Sequence, residues 1–212
     1  MLIILAGIGA GVYDQSNDEL ALDHFNLGSD YYQRKDYDRA IAEFTEAIRI
    51  GFSKIDATAL TYYLRGAVYY IKNNYDQAIA DFSQSLRINP NNALAYGQRG
   101  DMYSKKRDYD RAIADYTVAL RIRPDHANTY ASRAALYSEK KDYDRAIADY
   151  SQAIRLNPND AVAYCERGRS YHLKNDLDRA IADYTAALRI NPNDSESQRL
   201  KGIAEGTKRN TQ

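Results

Sequence analysis

Apolar and small residues recur through most of this chain at offsets of four and then three, the spacing that puts side chains on one face of a helix. One stretch carries Tyr96, Gly100 and Tyr103; the next carries Ala112, Tyr116 and Ala119. The polar Lys105-Lys106-Arg107 between them predicts a turn. Asp108 then reads as an N-cap, and Asp110 falls in the first helical turn, where negative charge is favoured. Arg121 falls in the last turn, and Pro124 blocks continuation. The pattern predicts helix, turn, helix, stop. It also repeats: DYDRAIADYTVALRIRP at 108–124 returns as DYDRAIADYSQAIRLNP at 142–158 and DLDRAIADYTAALRINP at 176–192, with looser copies from Asp36 and Asn74. The last four copies lie 34 residues apart. A fixed period of that size marks a stacked array, read here as one elongated domain whose units touch only their neighbours.

The register breaks once. Gly28 and Gly66 are 38 residues apart rather than 34, and the four extra residues fall within Gly51 to Thr58. Gly51 can take a left-handed C-cap conformation. The insertion either lengthens a helix or turn, or builds a binding loop. Residues 1–20 stand outside the repeat. Leu2 to Val12 is an apolar run of eleven residues, short of the roughly 17–25 that span a bilayer as a helix. It has the length of a signal-peptide core, yet no Lys or Arg precedes it and the first basic residue is Arg34. Two readings stand: a signal or anchor remnant, or an apolar segment that packs on the array. Asp14 to Glu19 reads as a polar hinge or cap. The units are placed at 21–58, 59–92, 93–126, 127–160 and 161–192. Residues 193–205 begin a sixth first helix with a polar face, the cap that a repeat array needs. Residues 206–212 are expected to be a frayed tail.

Charge and composition narrow the functional classes. Lys plus Arg and Asp plus Glu are 29 each, so no global basic field favours nucleic acid or an anionic membrane. The single cysteine, Cys165, rules out an intrachain disulfide. The 20 tyrosines sit at fixed places in each unit and read as core columns, with hydroxyls at helix edges in reach of water or a carbonyl. His24, His126 and His172 lie in separate units without metal-ligand spacing, and GIGAG at 7–11 fits neither phosphate-binding fingerprint. No cofactor and no catalytic group are expected. Arg39, Arg111, Arg145 and Arg179 precede Glu43, Asp115, Asp149 and Asp183 by four residues and read as weak surface pairs on the second helices. Arg65, Arg99, Arg133 and Arg167 read as stems packed along the array with exposed heads, or as ligand-facing groups.

The repeated residues resemble the tetratricopeptide repeat. Its 34-residue pattern of aromatic, small residue and tyrosine, then Ala, aromatic, Ala and Pro, is matched by Tyr96, Gly100, Tyr103, Ala112, Tyr116, Ala119 and Pro124. The fifth unit matches with Tyr164, Gly168, Tyr171, Ala180, Tyr184, Ala187 and Pro192. The second departs at Ser85, the fourth at Ala134, and the first at His24 and in lacking the closing proline. The resemblance covers about residues 21–192. It implies an all-α solenoid, a right-handed superhelix of five helix-turn-helix repeats with a C-terminal capping helix.

In this family the first helices line a concave groove where partner peptides lie. Carried over by position, the groove residues are Phe25 and Tyr32, then Leu60, Tyr63, Ala67 and Tyr70, then Gly97, Asp101 and Lys105, then Ala131 and Glu139, and last Arg169 and His172. The N-terminal half is aromatic and apolar, and the rest small and mixed in charge. Relatives that hold chaperone C-termini use Lys and Asn as a carboxylate clamp; here those places hold Phe25 and Ser29. The expected function is a non-enzymatic scaffold for a peptide or protein segment. The alternative is a self-associating assembly protein, with residues 1–12 as dimer tether or membrane element. Residues 1–12 are the only expected route to a membrane, and they divide an exported or membrane-associated location from a cytoplasmic one.

Overall fold

The computed structural model describes residues 15–210, which form eleven α-helices and no strand. The helices pair in chain order: α1 (Gln15–Gln33) with α2 (Tyr37–Ile50), α3 (Ile55–Ile71) with α4 (Tyr75–Ile88), and α5 (Ala93–Lys105) with α6 (Tyr109–Ile122). They continue as α7 (Ala127–Glu139) with α8 (Tyr143–Leu156) and α9 (Ala161–Leu173) with α10 (Leu177–Ile190). α11 (Ser195–Asn210) packs on α10. The helices fall into two compact units, one ending at Pro90 and one beginning at Asn91. Each pair buries its face only against neighbours, so several local cores replace one shared core.

The turn inside each pair is three residues long. In the third pair the Asp108 N–H donates to the Tyr103 carbonyl at 2.9 Å, closing α5. The Asp108 carboxylate then accepts from the Arg111 N–H, opening α6. One aspartate thus ends one helix and caps the next. Asp36, Asp142 and Asp176 cap their helices in the same way. The residue before this position, which is Asn74 in the second pair, takes positive φ in every pair: Lys35, Asn73, Arg107, Lys141 and Asn175, at 58–63°. Asparagine suits that conformation; lysine and arginine hold it against a cost set by Cβ sterics.

The second-helix rings form the core. Phe44 is 1% exposed, Phe82 and Tyr184 0%, and Tyr116 and Tyr150 3%. Burying such a side chain contributes about 1.5–3 kcal/mol. The small position of the first helix lies directly over each ring: a Cβ on Gly100 would stand 2.8 Å from Tyr116, and one on Gly168 would stand 2.9 Å from Tyr184. The first-helix tyrosines Tyr62, Tyr96, Tyr130 and Tyr164 are half-buried, and an arginine from the next turn lies over the face of each. Not every core hydroxyl finds a partner: Tyr184 is buried with its OH unpaired.

One local reading is narrowed and three are revised. The four-residue insertion is one extra turn at the start of α3, which has 17 residues where α5, α7 and α9 have 13. Gly51 has positive φ (84°), but its ψ of 158° is extended rather than left-handed helical. The polar stretch read as a hinge is helical from Gln15, and Asp18 accepts from the Ser53 backbone and side chain, tying α1 to the loop before α3. At the other end α11 runs to Asn210 rather than fraying after Glu205, and Lys208 pairs with Asp178 of α10. Leu2 to Val12, with the readings placed on it, lies outside the described residues. Among the described residues no helix is long and apolar enough to cross a membrane.

Candidate functional site

The repeated arginines separate scaffold from site. Arg65, Arg99, Arg133 and Arg167 do not expose their heads. Each guanidinium binds the aspartate sixteen residues on, Asp81, Asp115, Asp149 and Asp183, through two bonds of 2.7–2.8 Å. The side chains are 15–19% exposed for Arg and 6–9% for Asp. The third nitrogen reaches back one repeat: Arg133 donates to Thr117, Arg167 to Ser151 and Arg65 to Thr45. The Asp149 hydrogen bond holds the Arg133 guanidinium above its ordinary range. These aspartates are therefore unavailable for the i,i+4 surface pairs expected on α6, α8 and α10. Arg111, Arg145 and Arg179 turn instead to Asp108, Asp142 and Asp176 and cover Tyr103, Tyr137 and Tyr171. The first pair has Leu27 and Glu43 in these two places, and Glu43 is engaged by His24 at 2.6 Å. The ligand-facing reading of these arginines is thereby closed.

In the N-terminal unit the expected groove residues divide by packing. Phe25 is half-buried, with its ring centroid 6.0 Å from Phe44 and 6.4 Å from Phe52. Tyr63 packs 5.6 Å from Phe82, and burial pushes its phenol pKa up. Ala67 and Tyr70 are half-buried. Tyr32 and Leu60 are exposed, alongside Leu20, Leu22 and Leu27 of α1. Much of the aromatic surface read as ligand-facing is thus spent on the unit's own core.

In the C-terminal unit the faces of α5, α7 and α9 carry two clefts that share Ser132. The first, about 200 Å³, holds Leu94, Gly97 and Asp101 of α5 over Tyr116, with Thr129 and Ser132 of α7 opposite. The second, about 510 Å³, holds Ala131, Ala135 and Glu139 of α7 over Tyr150, with Glu166 and Arg169 of α9 opposite. Small residues open the space: nothing stands within 4 Å of a Cβ built on Gly97. Tyr116 donates to the Asp101 carboxylate at 2.6 Å. Burial pushes the Asp101 carboxyl above its ordinary range, and this hydrogen bond only partly opposes it. Burial also raises the phenols of Tyr116 and Tyr150, so both remain neutral donors near neutral pH. Leu94, Val162 and Leu173 stand exposed at the rims. Lys105 is exposed beyond the first cleft, and half-buried His172 is absent from the lining of the second.

Sequence reasoning assigned Tyr116 and Tyr150 to the core alone and did not single out Gln98, whose side-chain oxygen is buried without a partner beside Asp101. The available signal was Phe in the second-helix column of the first two units and Tyr in the last three. Among the described residues no group of His, Cys, Asp or Glu is arranged to hold a metal ion. His126 engages Thr129 at 2.7 Å, and Cys165 is buried with its thiol pKa raised by desolvation.

Family models for the tetratricopeptide repeat match residues 21–51, 59–92, 82–114 and 161–194, and one for the TPR repeat matches 136–175. No curated protein sequence matches. Solved structures match widely. YrrB, described as a TPR protein with an unusual peptide-binding site, is 20% identical over 89% of this chain and 94% of its own, with a TM-score of 0.78. MamA residues 41 to end from Desulfovibrio magneticus RS-1 is 19% identical over 84% and 98%, at 0.75. The first TPR of Spaghetti (RPAP3), bound to HSP90 peptide SRMEEVD, is 29% identical over 54% and 91%, at 0.53. Matches at such identity establish the fold, and the repeat models cover most of the chain. The chain therefore belongs to the tetratricopeptide repeat family, as an all-α solenoid of five helix-turn-helix repeats with a C-terminal capping helix.

Proposed function

We propose that the protein is a non-enzymatic scaffold that binds a peptide or protein segment on the faces of its first helices. The observation that carries this is the pair of clefts along α5, α7 and α9. They are open, floored by neutral phenols, lined by small residues and rimmed by exposed Leu94, Val162 and Leu173. Small residues let an extended backbone approach, and the rim offers apolar anchoring of the kind that marks contact surfaces. YrrB and the Spaghetti repeat are peptide binders by description, which supports the same use of the fold. In the N-terminal unit, Tyr32, Leu60, Ala67 and Tyr70 are the proposed contacts, while Phe25 and Tyr63 support them from the core. Ala135→Arg tests the reading. Position 135 is exposed within the second cleft, so an arginine fills it without disturbing the core. Capture of peptides from a randomised pool is expected to fall at least about tenfold, the effect of losing a central contact, with helical content unchanged. Undiminished capture would remove these clefts from the account.

A second reading, self-association, is favoured by the exposed Leu20, Leu22 and Leu27 of α1, each 42–50% exposed. Light scattering of the full chain across a concentration series decides it: a dimer mass supports this reading, and a constant monomer mass removes it.

A further inference from the structure

The two clefts differ in chemistry. Asp101 sits at the floor of the first, and the matching places at steps of thirty-four residues hold Ala67, Ala135 and Arg169. A residue that appears in one unit only serves that unit's surface, not the repeat. The four aspartates of the second helices are saturated by arginine. Asp101 has only the Tyr116 hydroxyl at 2.6 Å. Beside it the Gln98 side-chain oxygen is buried with no hydrogen-bond partner. A half-buried carboxylate without an ion pair and a buried carbonyl without a donor are both costly, and the cost is recovered when a ligand supplies what is missing.

Resting on the peptide-binding reading above, we propose that the cleft between α5 and α7 receives a lysine or arginine side chain of the bound polypeptide, with the Asp101 carboxylate as counter-ion and the Gln98 carbonyl as second acceptor. At about 200 Å³ the space is below the usual range for a small-molecule site and suits one long side chain inserted from a strand that crosses the rim. Its walls agree: Gly97 and Ala119 leave room for an aliphatic stem, and Leu94 at the mouth covers it. Two cations stand nearby, Arg123 at the mouth and Lys105 one turn along α5. Both are exposed. Neither forms an ion pair with Asp101, and Lys105 acts on its carboxylate only as a nearby exposed charge, whereas a cation at the floor meets Asp101 directly and out of water. The local pairing therefore decides the preference.

The test pans the immobilised full chain against acetylated, amidated nonapeptides, randomised except for one position fixed as lysine, norleucine or glutamate, with recovered peptides counted by mass spectrometry. Norleucine keeps the lysine stem and removes the charge. The lysine pool is expected to be enriched about tenfold over norleucine at one fixed position, the range of a charge-assisted hydrogen bond, with glutamate below both. Asp101→Asn keeps the size and the Tyr116 contact, and is expected to erase the preference with helical content unchanged. Gln98→Met removes the second acceptor alone and is expected to reduce the preference; it also serves should the Asp101 variant fail to fold. Capture without preference for lysine, or a preference that survives both variants, overturns this inference and leaves the peptide reading standing. No capture of any pool overturns both.

Discussion

Removing Arg133 should cost more than removing any surface charge of this protein. Its guanidinium binds Asp149 through bonds of 2.7 and 2.8 Å, donates to Thr117 of the preceding repeat at 2.9 Å, and lies near the Tyr130 and Tyr137 rings. Arg133→Met keeps most of the stem and leaves Asp149, 9% exposed at its side chain, as a carboxylate without a cation. Breaking a buried pair from one side costs about 3–5 kcal/mol. The lower end applies because Arg133 is 16% exposed, so water can partly replace it. With a urea slope of about 2 kcal/mol/M, about 3 kcal/mol moves the midpoint by about 1.5 M. The double variant Arg133→Met/Asp149→Leu removes the stranded charge and should recover most of the loss, since replacing both partners of a buried pair is often neutral. Lys140→Met removes an exposed pair with Asp110, whose side chains are 38% and 82% exposed, and should shift stability by a few tenths of a kcal/mol. Urea unfolding followed by circular dichroism, with a second probe to check two-state behaviour, reads all three. An Arg133 variant within about 0.5 kcal/mol of wild type, inside the range of exposed pairs, would refute the assignment of this rung as a buried inter-repeat tie.

Gly100→Val should destabilise by about 1–3 kcal/mol through overpacking against Tyr116, read as a lower melting temperature; the natural Ala134 over Tyr150 shows that a single methyl is accommodated in the fourth repeat. Lys141→Gly relieves a positive φ of 61°; a left-handed cost of roughly 1–2 kcal/mol, less the backbone entropy of glycine, predicts a gain of up to about 1 kcal/mol in urea unfolding. The carboxyls of Asp108, Asp142 and Asp176 are held below their ordinary value of 3.8 by hydrogen bonds from Arg111, Arg145 and Arg179. A lowered folded pKa stabilises above the ordinary value and is lost as pH falls through the folded one, so stability should hold from neutrality to about pH 5 and drop below about pH 4. Asp101 runs the other way: its pKa is raised by burial, so its cost appears as pH rises through the folded value. Asp101→Asn should therefore gain most over wild type near pH 7 and lose that advantage in acid, measured as urea midpoints across the range.

The repeat, the paired helices and the aspartate caps were legible because they depend on residues near one another in sequence and recur from unit to unit, the caps in four of the five. The arginine rungs were not, because Arg133 and Asp149 are sixteen residues apart and meet only when two helices fold back together. The i,i+4 spacing of Arg145 and Asp149 on one helix offered a nearer partner that the structure does not use. A signal did exist across the units. The first unit lacks the arginine, has Glu43 for the aspartate and places His24 in the tyrosine column, three changes at once that mark the positions as one contact. The groove was legible as a set of helix positions but not as a surface. Whether Tyr63 faces a ligand or Phe82 depends on ring packing, and whether Asp101 has a cation depends on which arginine is already engaged.

The most direct test of the central claim places a photoreactive benzoylphenylalanine at position 135, on the cleft side of α7, or at position 148, on the exposed side of α8, in the presence of captured peptides. The account predicts peptide cross-links from 135 and none above background from 148. Cross-links from 148 alone, or equally from both, would contradict it.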